Sequence, residues 1–517
     1  MIHAQIGFVS EPSARLPDDP AALKAMVAAR EAEIDRLHQI IRELQRHRFG
    51  RRAESLPVDQ LLLSLEEAEQ FEAEGLAETD AADASARAAR TRQRRANRGA
   101  LPAHLPRIER MIDVDDRTCP CCRGDLHVIG EDVAERLDIV PAQFRVVVTR
   151  RPKYACRACE DVIVQAPAPA RLVEGGIPTE ASVAHVLVSK YADHLPLYRQ
   201  AQIYARQGVN LDRSTLADWV GKAAFLLRPV HARLFDRLKA SDRLFADETT
   251  APVLDPGRGQ TKTGQLFAYA RDDRPWGGLD PPGVAYLYAP DRKAEHPIRH
   301  LAGFEGTLQV DGYAGYKVLA TRKAVSLAFC WAHVRRRFYE LAKAGTAPIA
   351  TEVLARIAEL YRIEGEIRGR SPDERRAVRQ DRSRPVVAAL QPWLTTKLGL
   401  ISQKSKLAEA IRYALSRWAG LSLFLDDGRV EIDNNTVERA IRPLALTRKN
   451  ALFAGSDGGA GHWAVVASLV ETCKLNGVEP QAYLTDVITR IVAGHPQSNI
   501  DDLLPWAYAP QPLRAVA

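Results

Sequence analysis

Between Arg243 and His333 the sequence adopts a period that few folds can accept. "RLFADETT" is an apolar run that reads as a strand ending on Asp247. "QLFAYARDD" (265–273) and "GVAYLYAPD" (283–291) follow across glycine and proline turns, as in a three-stranded antiparallel meander. "RKAEHPIRHLAGF" (292–304) then has helical spacing despite Pro297. "GTLQVDGYAGY" opens as a short strand ending on Asp311, and "AVSLAFCWAH" (324–333) supplies a fifth.

Three strands, a helix, a strand, a connection and a strand is the order of a ribonuclease H-like α/β sheet, in which the first and fourth strands lie side by side. Asp247 and Asp311 are then expected at adjacent strand ends. One aspartate at a strand end is usually a turn former. Two in matching positions would repel and raise each other's pKa unless a cation lay between them. A third oxygen ligand would complete a set suited to hard Mg²⁺ or Mn²⁺. "EIDNNTVERAIRP" (431–443) offers one. Val437, Ile441 and Leu444 form a buried stripe, with Asp433 or Asn434 as helix cap and Glu438 and Arg442 at i and i+4 on a neighbouring face. Alone, Glu438 is a surface partner of Arg442; beside Asp247 and Asp311 it becomes the third metal-binding acid. His333 either orients DNA or an acid, or is a core histidine.

At 517 residues the chain is long enough for several folded units. Its net charge of +7 and pI near 9.0 favour a polyanionic partner. The start has no basic and apolar leader and no stretch reaches membrane-spanning length, so a cytoplasmic location is expected. Val27, Ile34 and Ile41, with Leu23, Leu37 and Leu44, trace a short zipper that suggests homo-oligomers. Eight acids in residues 66–83 and six arginines in residues 87–98 make a charged linker. Cys119 and Cys122, then Cys156 and Cys159, are two C-x-x-C knuckles that could share a tetrahedral zinc. Two strand-like runs, "RLDIVPAQ" and "FRVVVTRRPKY", would close the distance between them as a hairpin. Cys121 is a spare thiol or an alternative ligand; Cys330 and Cys473 read as small buried hydrophobes. "LYRQAQIYARQGVNLDRSTLADWVGKA" gives helix, turn at Gly208 and second helix capped by Ser214, an outline shared by helix-turn-helix modules and plain helical hairpins.

With "HRFGRRAESL", "YADHLPLYRQAQIYARQGV", "ADETTAPVLDPGRGQTKTGQL", "DGYAGY", "CWAHVRRRFYEL", "DNNTVERAIRP", "RKNALFAGSDGG" and "KLNGVEPQAYL" occurring in order, the chain resembles the large transposases of the insertion sequence 66 family along essentially its whole length. The resemblance implies that Asp247, Asp311 and Glu438 are the catalytic acids of a DDE transposase that cuts DNA at the element's ends and joins the 3′-hydroxyl to target DNA. The expected organisation is a zipper (20–49), charged linker (50–110), zinc finger (111–172), helix-turn-helix-like region (173–238), catalytic core (239–345 and 425–472) interrupted by a helical insertion (346–424), and a C-terminal element (473–517). Arg439, Arg442, Arg448, Lys449 and Asn450 are candidates to hold DNA phosphates, since arginine forks suit phosphate geometry. His462 and Trp463 depart from the resembled pattern, which follows its Gly-Gly with an arginine and small residues. Companion proteins of the element are possible partners. A rival reading is a zinc-dependent DNA-binding regulator with a catalytically inactive nuclease-like core.

Overall fold

The computed structural model describes residues 176–509 except 256–259, 322–323, 344 and 346, together with Asp83, Ser85, Phe144 and residues 146–150, 152–155, 163–165 and 167–173. The zipper, the rest of the charged linker and Cys119, Cys121, Cys122, Cys156 and Cys159 lie outside the described residues. The chain divides into residues 1–141 and residues 142–517. In the first unit Ser85 Oγ donates to Asp83 Oδ1 at 2.7 Å.

In the second unit a small antiparallel hairpin pairs β1 (Lys153–Ala155) with β2 (Ile163–Gln165). Of the hairpin expected upstream, the first run (136–143) lies outside the described residues, and of the second run (144–154) only Lys153 and Tyr154 are strand among the described residues. Residues 146–150 are not strand, and Val146 and Val148 are 88% and 70% exposed, so the apolar alternation there is not buried against a sheet. Three helices follow, α1 (Glu180–Tyr191), α2 (Leu197–Ala205) and α3 (Arg213–Lys239). Gly208 makes the turn before α3 at φ +77°, where a side chain would be strained. The capping position of α3 is Asp212, not the expected Ser214, which lies within the first turn. Leu216, Val220, Ala223, Leu227, Val230, Leu234 and Leu238 recur at helical spacing along α3 and are buried in the main core.

The central sheet contains β3 (Arg243–Asp255), β4 (Gln260–Arg271), β5 (Gly283–Ala289), β6 (Gly306–Val310) and β7 (Val325–Phe329). Their order is β5-β4-β3-β6-β7. The first three are antiparallel; β6 joins β3, and β7 joins β6, in parallel. Short helices α4 (Glu295–His300) and α5 (Lys317–Ala320) lie in the connections, and α6 (Trp331–Lys343) leaves the end of β7. A helical segment then runs through α7 (Pro348–Ile367), α8 (Pro372–Val378), α9 (Arg384–Gly399), α10 (Lys406–Leu415) and α11 (Trp418–Ser422). It shares a second apolar core with α6, built on Trp331, Phe338, Ile357, Leu390 and Ile411. The chain returns to the sheet as α12 (Asn435–Ala451) and α13 (Asp457–Leu475), and α14 (Pro480–Val492) then packs on α1.

Two polar devices join these parts. Arg379 holds Glu364 with two hydrogen bonds, at 2.8 and 2.6 Å, and Arg375 reaches Glu431 at 2.7 Å. Gln309 on β6 clasps the Glu431 backbone, donating to its carbonyl and accepting from its N–H, both at 3.0 Å. The helical segment is thus anchored to the strand that leads into Asp311. At the other side of the sheet, β5 is an edge strand whose free backbone groups are taken up by helices. Tyr286 N–H donates to Ser468 Oγ at 2.7 Å, while Thr472 Oγ1 accepts from Val284 N–H at 3.1 Å and donates to its carbonyl at 3.0 Å. Thr472→Val keeps the shape but leaves two buried backbone groups unpaired, so it is expected to cost about 1–3 kcal/mol in denaturant unfolding. Among the described residues no helix is long and apolar enough to cross a membrane.

Candidate active site

The register of β3 and β6 decides how the two aspartates meet. Their last paired positions are Phe245 and Gln309, and β6 ends at Val310. Asp247 and Asp311 each lie two residues further on, the spacing that returns a strand to the same face. Contrary to the expectation from sequence, Asp247 is not at a strand end. The strand continues to Asp255, paired with β4 through Asp255↔Gln260, and Asp247 marks only the point beyond which the β6 side is open.

Ligand oxygens of Asp247, Asp311 and the neighbouring Glu248 lie within 4.8 Å of one another. Asp247 Oδ1 accepts the Glu248 N–H at 2.8 Å, and Asp311 Oδ1 accepts the Tyr313 N–H at 2.8 Å. Gly312 makes the turn at φ +105°, with Arg417 donating to its carbonyl at 3.3 Å; a Cβ there would stand 2.6 Å from Arg417 Nε. Tyr413 donates to the Asp311 carbonyl at 2.8 Å. Burial, then the charges of Asp311, Glu248 and Glu438, push the Asp247 carboxyl up to about 8, against the opposing hydrogen bond from Glu248 N–H. Metal-free, this cluster therefore tends to hold a proton.

Glu248 is the member of this cluster that sequence reasoning missed. Its side chain is 2% exposed and is gripped by Arg292, whose Nε donates at 3.0 Å, while the Tyr316 hydroxyl donates at 3.2 Å. Burial raises its pKa against the pull of Arg292. Arg292 also stacks over Tyr313, 4.3 Å from the ring centre. "ADETT" shows two adjacent acids, but strand alternation assigns them to opposite faces and so gives no reason to join them.

Glu438 enters from the first turn of α12. Val437 and Leu444 beneath it are buried and Ile441 partly so, as the stripe requires. The side chain it faces is His333 rather than Arg442: Glu438 Oε1 lies 3.6 Å from His333 Nδ1. Both atoms are buried without a hydrogen-bond partner. Cys330, His333 and Glu438 make a second group of possible ligand atoms within 4.8 Å of one another. Cys330 is buried, as expected, and its thiol is pushed up to about 12 by burial. Cys473 is buried too. Of the two expected caps, Asn434 occupies the capping position without a side-chain cap bond, while Asp433 Oδ1 accepts the N–H of the first helical residue, Asn435, at 3.1 Å.

Arg439, Arg442, Lys449 and Asn450 are exposed along α12. Arg448 instead braces the helix against β3, donating to Thr249 Oγ1 at 3.0 Å and Thr250 Oγ1 at 2.9 Å. Trp463 is buried in the main core, and His462 is half-buried near Gly221.

The model of a family described as "Transposase IS66 family" matches residues 175–462, more than half of the chain and all of the sheet and acids just described. The chain belongs to this transposase family. Further models of the IS66 transposases match in order: "Transposase C of IS166 homeodomain" at residues 36–110, "zinc-finger binding domain of transposase IS66" at residues 116–160, and "IS66 C-terminal element" at residues 468–506. The zinc-finger match spans Cys119, Cys122, Cys156 and Cys159. Among its relatives, the uncharacterized protein y4qI of Sinorhizobium fredii (strain NBRC 101917 / NGR234) is 46% identical, over 96% of this chain and 99% of its own. Uncharacterized protein y4jD of the same organism is 47% identical, over 95% of this chain and 97% of its own.

Proposed function

We propose that this member of the IS66 transposases is a DDE enzyme with a ribonuclease H-like core, which cleaves DNA at insertion-sequence ends and transfers the 3′-hydroxyl into target DNA. The observation that carries this reading is the register match of Asp247 and Asp311 beside the open flank of β3, with the Glu438 charge acting on the same carboxyl.

The residues fit divalent cations. Asp247 and Asp311 gather hard oxygen donors, Asp247 is raised by burial and by its acidic neighbours, and Glu438 Oε1, in the neighbouring group with Cys330 and His333, is buried without a hydrogen-bond partner. Asp247, Asp311 and Glu438 would hold Mg²⁺ or Mn²⁺. Such ions supply a lowered pKa for the attacking oxygen and a counter-charge for the departing one. Glu248 stands in the same cluster, but its carboxylate is paired with Arg292, which leaves Asp247 and Asp311 as its unpaired acids. No protein side chain acts as nucleophile: a water first breaks the phosphodiester at the element end, and the released 3′-hydroxyl then attacks a target phosphodiester, breaking its P–O3′ bond and leaving a free 3′-hydroxyl on the target strand. Cys119, Cys122, Cys156 and Cys159 would hold Zn²⁺, and the zipper would join copies of the chain.

Arg439 and Arg442, exposed on the acid-bearing helix, and Lys449 and Asn450 at its end are suited to DNA phosphates. Replacing Arg439 and Arg442 together by Ala is expected to weaken binding to all duplexes alike. It should lower the salt dependence of log K by roughly two phosphate contacts, as measured by fluorescence anisotropy between low and moderate salt.

The test of the function uses duplexes carrying the sequences that flank the reading frame. Mg²⁺-dependent nicking at one defined end, followed by joining to plasmid DNA, supports the transposase reading. Zinc-dependent binding with no cleavage under any divalent cation would favour a DNA-binding regulator.

A further inference from the structure

We propose that Asn434 is the positioning residue that sets how far Glu438 stands from Asp247, an inference that rests on the reading of the acids as a metal site. Asn434 is 1% exposed and occupies the capping position of α12, where a side-chain oxygen ordinarily accepts an N–H of the first turn. It does not do so here. Its Nδ2 donates instead to the carbonyl of Ala246 at 3.1 Å, one residue before Asp247. Its own N–H donates to Cys330 Sγ at 3.2 Å, just past the end of β7. Its carbonyl accepts the N–H of Glu438 at 3.2 Å. One buried residue therefore ties together the strand that carries the first acid, the strand end that leads to His333, and the turn that carries the third acid.

The amide is chemically required at this place. Asp433 already supplies the turn's capping oxygens, accepting from Asn435 N–H at 3.1 Å and from Asn435 Nδ2 at 2.6 Å, which frees Asn434 to bridge away from its own helix. A carboxylate in place of the Asn434 amide would present no donor to Ala246. It would also add a charge to a site that already holds Asp247, Glu248, Asp311 and Glu438. The Asn434 Oδ1 is buried without a partner, so the side chain is oriented by its donor end alone. Groups that orient metal ligands typically contribute about 10–100-fold to metal affinity.

The test measures manganese binding to the full chain by the loss of the free Mn²⁺ spin-resonance signal, with Asp247→Asn defining the signal that belongs to the acid site. Asn434→Leu, which conserves volume, and Asn434→Ala are compared with the native chain, and thermal midpoints report folding. Both variants are expected to weaken Asp247-dependent Mn²⁺ binding by about tenfold and to shift the half-saturating Mg²⁺ for cleavage by a similar factor, with KM for DNA unchanged. The inference is overturned if either folded variant binds Mn²⁺ within about twofold of the native chain, since a purely structural residue would lower the thermal midpoint and leave affinity alone. A native chain that shows no Asp247-dependent binding overturns the reading of the acids themselves.

Discussion

Asp247→Asn lowers Mg²⁺-dependent strand cleavage by about a thousandfold or more, and leaves DNA binding within about twofold of the native chain. The size follows from the work assigned to this carboxylate. A side chain that holds a cation at the reacting phosphate acts in the transition state, so its loss falls on kcat rather than on KM. Asn keeps the shape and can still accept the Glu248 N–H that Asp247 Oδ1 accepts at 2.8 Å, so the local backbone has no reason to rearrange. The exposed Arg439, Arg442 and Lys449, proposed above to hold DNA phosphates, are untouched, so binding is expected to survive. Gel-based cleavage and anisotropy on the same flanking duplex separate the two quantities. Retained cleavage would remove Asp247 from the chemistry.

The same substitution stabilises the metal-free protein at alkaline pH. In the folded chain the Asp247 carboxyl is raised from 3.8 to about 8, so the folded state binds this proton more tightly than the unfolded one. Stability from a raised pKa is complete below the unfolded value and is lost as pH rises through the folded value; here the loss runs from about pH 4 to about pH 8. Since each tenfold gain in proton affinity is equivalent to about 1.4 kcal/mol, the native chain in chelator is expected to lose a few kcal/mol across that window through this group. Asn carries no proton to lose. Asp247→Asn should therefore melt several degrees above the native chain at pH 9 in chelator, with the gap closing towards pH 4. Added Mg²⁺ should reverse the order, because it replaces the proton in the native site and has less to bind in the variant. Parallel melting curves at all pH values would mean that the raised carboxyl does not govern the core's stability.

Much of this site was legible because its signals are local. The apolar run in "RLFAD" and the short strand in "GTLQVD" placed both aspartates relative to apolar strands, and the helix-strand order placed β6 beside β3, as the structure has it. The length of β3 was hidden by Pro252, which reads as a breaker. It is tolerated because β6 has ended by then, leaving that side of β3 without a ladder partner; the Pro252 carbonyl accepts the Ala454 N–H at 2.9 Å instead. Glu248 was hidden for the opposite reason: two-residue periodicity sends it away from Asp247, and only tertiary contacts with Arg292 and Tyr316 bring it back to the cluster. Asn434 and His333 depend on partners about a hundred or more residues distant. A capping motif or a helical histidine in the sequence cannot reveal such partners. Residues 146–150 are not the strand expected there because the valines at 146–148 have strand propensity but no buried face to occupy.

The central point, that carboxylates distant in sequence share cations, is tested most directly by anomalous diffraction from crystals of the full chain soaked in Mn²⁺. Manganese peaks within about 2.5 Å of oxygens of Asp247, Asp311 and Glu438 are the expected result. Peaks confined to other acids, such as Asp291 and Glu295, with none touching Asp247 and Asp311, would contradict it.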